Sequence, residues 1–405
     1  MENLKGVGYL KSKLSNRRDN VLKRYSYYEM KDQARDIGIT IPSEFKHYYR
    51  STLGWCAKAV DSLADRLTFN KFTDDYFDFN GIYAMNNPDV IFDSAILSAL
   101  ISSCSFIYIA PDEETGTPQM QVIDGGNATG IIDPVTGLMT EGYAVLKRGD
   151  NDEVIQEAYF VPGKTEYRDV NGTQTIYHSS PAAALVPIIY RPDAKRPFGH
   201  SRISRACMYY QNYAKRVLVR SDVSAEFYSI PQRYVLGLDQ NAELMDQYRA
   251  LITNMLQFDK DEAGDHPVVG QFQQQSMSPY TEQFKTAAAG FAGETGLTLD
   301  DLGFATANPS SSEAIKASHE ILRLTARKAQ RSFGSGFLNA GYVAACIRDG
   351  KEYRRNEIYL TTPKWKPIFE ADFAALSGAG DSLIKIQQAF PGYLTEEKLE
   401  ELLGI

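Results

Sequence analysis

The residues of this chain that could carry chemistry are few and scattered. Its five histidines, His47, His178, His200, His266 and His319, stand singly. None sits in the H-x-x-x-H or H-E-x-x-H spacing that sets two imidazoles on one helix face around a zinc ion, so no metal site is expected. His319 falls on an apolar helix face, where a satisfied core imidazole is the expected role. No G-x-x-x-x-G-K-[ST] loop is present to cradle a triphosphate. "GSGFLNAG" (334–341) has the wrong glycine spacing for a dinucleotide fold and follows a helix where a strand is required, so it reads as a flexible helix end. There is no G-x-S-x-G elbow, and Cys207 and His200 would point to different faces. Asp300 and Asp301 are adjacent carboxylates that could divide acid and base roles, but their place in a loop beside Gly303 reads as turn chemistry. The expectation is a protein with no catalytic residue, no metal and no cofactor.

A second kind of signal is architectural. In "GFATANPSSSEAIKASHEILR" (303–323), Pro309 restricts Asn308 to extended backbone and offers no donor itself, so a helix must begin just after it. Ser310 with Glu313 forms a capping box that satisfies two orphaned backbone donors and makes that start abrupt. At 100° per residue, Ile315, His319, Leu322, Ala326, Ala329 and Phe333 share one face of a helix over 311–337, while Lys316, Arg323, Arg327 and Arg331 lie on a neighbouring one. The basic face reads first as a solvated surface on which Glu320 and the arginines pair locally.

The elements around this helix change grammar twice. The chain is 405 residues long with a net charge of −8, which argues against a protein that grips nucleic acid electrostatically. Twenty-five Tyr and 20 Phe against 2 Trp lean toward assembly through half-wet surfaces. The four cysteines form no C-x-x-C pair and suit a reducing compartment. The N-terminus is too charged for a signal peptide, and "AILSALISSCSFIYIA" (95–110) is too short to span a bilayer. From Lys11 to about Leu67 the pattern is helical, and 87–103 reads as a helix opened by Pro88 or Asp89. Short β-rich runs with turn clusters then fill 104–191, as in an antiparallel sheet or small sandwich. Helical spacing returns at Ser201, with Ile203, Cys207, Tyr210, Ala214, Val217, Ser221 and Ala225 as its seam. "QRYVLG" and "PVVGQF" read as strands flanking a helix over 242–258. A helix over 278–296 carries a run of small residues at Ala287–Gly290 that would let another backbone approach. "EIYLTTPKWKPI" reads as a late strand, and two short helices follow it.

These segments, in order, resemble the portal (head-to-tail connector) proteins of long-tailed bacteriophages over nearly the whole chain. "YSYYEMKDQARDIGITIPSEF" followed by "GWCAKAVDSLADRL" is similar to that family's opening, with a helix of the form G-W-x-x-x-x-V-D-x-x-x-x-R. "PQRYVLG" (231–237) and "NPSSSEAIKASHEILRLTARKAQRSFG" (308–334) are similar to its P-x-R-x-x-x-G and N-P-S-S-x-x-A-I pieces.

The resemblance implies an α+β portal-type fold. Residues 1–200 would form a wing, helical at first and β-rich over 104–191. Residues 201–226 and 278–296 would be stem helices, 227–277 a small α+β clip, 311–368 a long wing helix with its return strand, and 369–405 a short helical crown. Residues 297–310 would be a tunnel loop projecting into a DNA channel, carrying Leu299, Asp300, Asp301, Leu302, Phe304 and Asn308. Pro309, Ser310 and Glu313 would anchor the rigid helix that follows. A loop without cations avoids trapping moving phosphates. The implied assembly is a ring of this chain, typically of twelve copies, at one capsid vertex of a virion and made in the host cytoplasm. Its implied partners are the packaging motor (terminase), head-completion and adaptor proteins, major capsid and scaffold proteins, and double-stranded DNA passing without sequence specificity, with no membrane involved. The rival readings are another ring, adaptor or scaffold protein of the virion, and a metal-dependent DNA-processing enzyme.

Overall fold

In the computed structural model the described residues are 4–34, 48–112, 114–229, 233–236, 268–273, 276–304, 312–358 and 360–369, with single positions at 385, 388 and 389. The chain divides into two units. One is formed by Met1–Asp32, Gly54–Met208 and Ala292–Ile405, the other by Gln33–Leu53 and Tyr209–Phe291. Both helices and antiparallel strands are present, so the fold class is α+β.

The first unit opens with α1 (Gly6–Tyr28), α2 (Trp55–Ala64), β1 (Phe69–Thr73), α3 (Phe79–Ala84) and α4 (Pro88–Ser102). The helical pattern expected over 11–67 is carried by α1 and α2, separated where Met30 takes a positive φ of 59° just past α1 and where residues 48–54 are not helical. Eight strands follow: β2 (Cys104–Ala110), β3 (Gln119–Ile123), β4 (Ala128–Ile132), β5 (Met139–Arg148), β6 (Val154–Val161), β7 (Lys164–Asp169), β8 (Gly172–Tyr177) and β9 (Leu185–Ile189). They form two antiparallel sheets, one ordered β3-β2-β9 and one a five-stranded meander, β4-β5-β6-β7-β8.

Period-two alternation decides what each face of the meander meets. Ala144, Ala158 and Phe160 point to a core shared with Cys104, Phe106 and Leu185 of the smaller sheet. Their neighbours Tyr143, Val145, Tyr159 and Val161 point the other way, onto Leu10 and Leu14 of α1. A one-residue slip would exchange the two faces, so the register of β5 with β6, Ala144 opposite Ala158, is set by both partners at once.

Glu141 fastens α1 to this sheet. Its carboxylate is buried and accepts from the Lys5 and Gly6 backbone N–H groups at 2.7 and 2.9 Å and from the Tyr159 hydroxyl at 3.0 Å. An anion at a helix N-terminus meets both the orphaned donors and the positive end of the dipole.

The remaining elements are α5 (Arg205–Ser229), β10 (Arg233–Leu236), β11 (Val268–Gln271), α6 (Ser278–Thr295), α7 (Ser312–Ser318), α8 (Glu320–Arg348) and β12 (Thr362–Trp365). The helix expected over 311–337 is broken at His319 and then runs on to Arg348. Leu322, Ala326, Ala329 and Phe333 are buried as the spacing requires, but Ile315, on the far side of the break, is 48% exposed. "GSGFLNAG" is not a flexible helix end but part of α8, where a Cβ on Gly336 would fall 2.8 Å from Ile188 and one on Gly341 2.9 Å from Phe79. Those glycines let α8 lie directly against β9 and α3. At one end of this contact Phe69, Phe92 and Phe337 pack with centroids 4.2–5.8 Å apart, and the buried Tyr83 hydroxyl donates to the Phe337 carbonyl at 2.8 Å. The late strand β12 pairs antiparallel with β1.

In the second unit, β10 and β11 pair antiparallel, and the helix expected over 242–258 lies outside the described residues. Within α5, Ala214 and Val217 are buried as the seam demands, whereas Ala225 is exposed. The small-residue run of α6 admits an aromatic ring rather than a backbone: a Cβ on Gly290 would lie 2.3 Å from the Tyr210 ring of α5. The two C-terminal helices and most of the expected crown lie outside the described residues.

Two outcomes test this packing. Glu141→Ala leaves three donors without an acceptor and is expected to cost roughly 2 kcal/mol or more, against about 1 kcal/mol for Tyr159→Phe, in urea denaturation. The backbone N–H of Ser180 donates to His178 Nδ1 at 3.3 Å, and burial holds this imidazole below its ordinary value of 6.5. The unfolded chain therefore takes up the proton first, and the contribution of His178 is complete above pH 6.5 and lost progressively as the pH falls from there through the lower folded value. His178→Gln should flatten that part of the pH–stability curve.

Candidate functional site

The segment expected to do the work begins where α6 ends. Gly296 closes the helix with φ of +69° and its N–H on the Ala292 carbonyl at 2.8 Å. A Cβ there would fall 2.8 Å from Ile321, so glycine is required both for the left-handed backbone and for the close approach of α8. Leu297 is buried.

Thr298 and Asp301 then form a capping box. The Thr298 N–H and hydroxyl donate to Asp301 Oδ2 at 2.8 and 2.9 Å, and the Asp301 N–H donates back to the Thr298 hydroxyl at 3.2 Å. This box starts a single 3-10 turn, Asp300–Leu302, which Gly303 ends at φ 90° while Phe304 N–H returns to the Leu299 carbonyl at 3.0 Å. The first part of the expected loop is thus a capped turn, and Asp301 is spent on backbone and hydroxyl donors rather than on acid–base work. Leu299 and Asp300 are exposed, whereas Asp301, Leu302 and Phe304 are half-buried. Asn308, Pro309 and Ser310 lie outside the described residues, as does the side chain of Glu313.

The entry to the segment and its turn are tied to the same neighbour. Asp301 Oδ2 lies 3.7 Å from His319 Nδ1 at the α7–α8 junction, and Gly296 abuts Ile321 two residues on. His319, expected as a core histidine, is a half-buried residue at a helix break, facing a carboxylate. The T-x-x-D spacing is readable in the sequence by the same grammar that marks Ser310 and Glu313, but a loop expectation over the whole stretch hides it.

Behind the turn, the buried Arg202 holds the end of α6. Its Nη2 donates to the Thr295 carbonyl and its Nε to the Ala59 carbonyl of α2 at 3.2 Å, while its own N–H donates to the Leu100 carbonyl of α4 at 2.8 Å. A planar guanidinium can serve two carbonyls that diverge in this way, which an ammonium on a flexible stem cannot do with fixed geometry. No local motif announces it, because its partners lie 93 and 143 residues away.

The basic face of α8 divides in two. Arg323 makes a bidentate pair with Glu320 at 2.6 Å, and this contact holds the Glu320 carboxyl below its usual range. Arg327, Lys328 and Arg331 make no ion pair among the described residues, and with Leu324, Gln330, Pro363 and Trp365 they line an open groove of about 440 Å³. Among the described residues no group of three His, Cys, Asp or Glu side chains is placed to hold a metal ion. The four cysteines are buried and make no disulfide, and burial pushes the Cys104 and Cys346 thiols up, away from the reactive thiolate.

Comparison with known proteins bears out the resemblance read from the sequence. The chain is 22% identical over 419 residues to the portal protein of Mycobacterium phage D29, covering 97% of this chain and 84% of that protein. It is 23% identical over 384 residues to the portal protein of Mycobacterium phage L5, covering 88% and 77%. Among solved structures it is similar to a chain in the neck of an empty GTA particle computed with C6 symmetry, at TM-score 0.48 and 14% identity over 96% of this chain and 98% of that one. It is also similar to a chain in the virion of a native gene transfer agent particle, at TM-score 0.46 and 15% identity over 95% and 99%. No family model matches the chain.

Arg202→Lys should lower the unfolding midpoint by the equivalent of about 1.5–3 kcal/mol, the worth of hydrogen bonds to a charged donor. It should also speed hydrogen exchange at 296–304 relative to β5 and β6. Equal acceleration in both regions would mean that Arg202 supports the unit as a whole rather than this segment.

Proposed function

We propose that the chain is a bacteriophage portal subunit. Copies of it close into a ring, of twelve in the fullest form of the proposal, at one capsid vertex, and double-stranded DNA passes through the centre on packaging and on ejection. The observation that carries this reading is the similarity to two curated portal proteins over 97% and 88% of the chain. The reading assigns residues 1–200 with 311–368 to a wing, 201–226 and 278–296 to a stem, 227–277 to a clip that meets the packaging motor and later the neck proteins, and 369–405 to a small crown. The chain itself performs no catalysis; a separate ATPase supplies the work.

In this reading, residues 297–310 form the loop that faces the channel. Two features support that role. The segment 297–310 contains no Lys or Arg, so a phosphate passing it meets no counter-charge to release and rebind. Its base is fastened by the Thr298–Asp301 box, by Gly296 against Ile321 and by Asp301 facing His319, so that whatever motion the loop undergoes starts from a fixed foot. Pro309, Ser310 and Glu313 would supply a second foot.

The test separates assembly from passage. Thr298→Ala removes a cap worth about 1 kcal/mol and Asp300→Lys places a cation on an exposed position of the turn. Both variants should form rings at the wild-type level by analytical ultracentrifugation. Packaged DNA should fall several-fold, and for Asp300→Lys the defect should be relieved by raising the salt concentration. Loss of rings before loss of packaging, or packaging at the wild-type level in both variants, would contradict this assignment.

A further inference from the structure

One face of α1 carries cations that no anion pairs with among the described residues. Lys13, Arg17 and Arg24 are four and seven residues apart and so share a face. Lys13 Nζ donates to the Gly130 carbonyl at 2.6 Å. Arg17 Nη2 reaches the Ser103 hydroxyl and Cys104 Sγ at 3.0 Å and the Ser102 carbonyl at 3.3 Å, and Arg24 Nη1 donates to that same carbonyl at 3.1 Å. Every one of these acceptors is neutral. Lys11 and Arg18, on the same helix, behave differently, pairing with Glu157 and Asp152 at 2.7 Å.

The excess charge grows outward. Lys13 and Arg17 both approach the Phe198 ring, at 4.7 and 5.5 Å from its centroid. Burial first, and then the fields of Arg17, Arg196 and Arg205, hold the Arg24 guanidinium below its ordinary value; burial and the fields of Arg17 and Lys5 do the same to Lys13. The nearby carboxylates are engaged elsewhere: Asp124 accepts from Gly126 N–H and the Asn127 amide at 2.6 Å, and Asp193 accepts from His200 and from the Lys195 and Arg196 N–H groups. Two of the cations sit at the C-terminal end of α4, but a helix terminus supplies only about half a negative charge.

We propose that this face binds a phosphate-class oxyanion, with Arg17, Arg24 and Arg196 as donors, Lys13 as a further positive charge and Phe198 as the apolar wall. Guanidinium forks match the geometry of phosphate oxygens, and a dianion would relieve a repulsion that the chain leaves uncompensated. The same chemistry is offered by a free polyphosphate and by a nucleic-acid backbone. The site lies on α1 and the loop before α5, apart from the 297–304 segment, and stands whether or not that segment faces a channel.

Titration calorimetry of the full chain with sodium tripolyphosphate, against sodium chloride at matched ionic strength, tests this. Saturable binding is expected. Arg24→Gln should weaken it about tenfold, and Arg196→Ala, at an exposed residue whose guanidinium approaches the His200 ring at 3.4 Å, by several-fold. Arg18→Ala, whose guanidinium is already paired with Asp152, should bind as wild type. A short DNA duplex that displaces tripolyphosphate would identify a nucleic-acid backbone as the source, and failure to displace it a free anion; either result keeps the site. No heat beyond the chloride control, or wild-type affinity in both Arg24→Gln and Arg196→Ala, would overturn it.

Discussion

The structure around the candidate channel segment depends on one buried guanidinium. Arg202 satisfies carbonyls of Ala59 and Thr295 at once, and its backbone N–H is taken by Leu100. Three helices therefore end or pass where one residue, by its guanidinium and its backbone N–H, holds them. A charged group in such a place is stable only when its donors are used, and removing it would strand polar backbone in the core. The consequence is local rigidity: the α6 terminus is fixed, Gly296 turns the chain against Ile321, and the Thr298–Asp301 box sets the direction in which the chain departs.

The same logic of one anchored end recurs in the sheet. Glu141 holds the first turn of α1 to β5, while alternation in β5 and β6 places one face on α1 and the other on the smaller sheet. Two independent cores thus share the same strands, and neither can shift register without exposing the other. Both α1 and the turn at 298–302 present charge from a fixed base, cationic in the first case and acidic in the second. A chain of net charge −8 keeps these separate, with the basic face far from the cation-free loop in sequence.

Much of this was legible before any coordinates. The burial of Leu322, Ala326, Ala329 and Phe333 follows from helical spacing, and the β-rich character of 104–191 from its short runs and turn clusters. Pro88 stands at the first position of α4, where its missing donor costs nothing. What escaped had physical reasons. Ile315 is exposed because the helix breaks at His319, and a phase carried across a break is lost. Gly334, Gly336 and Gly341 resembled a loose helix end because glycine lowers helix propensity, whereas here close contact with β9, β12 and α3 overrides it. Arg202 could not be found by any local pattern, since its partners are brought near only by the fold. Asn308, Pro309 and Ser310 keep the role that spacing and resemblance suggested, as part of the proposal.

The most direct measurement is a cryo-electron microscopy reconstruction of the assembled protein. Residues 298–304 of every copy should face a central opening wide enough for a DNA duplex, with Leu299 and Asp300 toward the lumen. A closed assembly in which those residues face outward or lie packed between copies, or a chain that stays monomeric with scaffold present, would contradict the account.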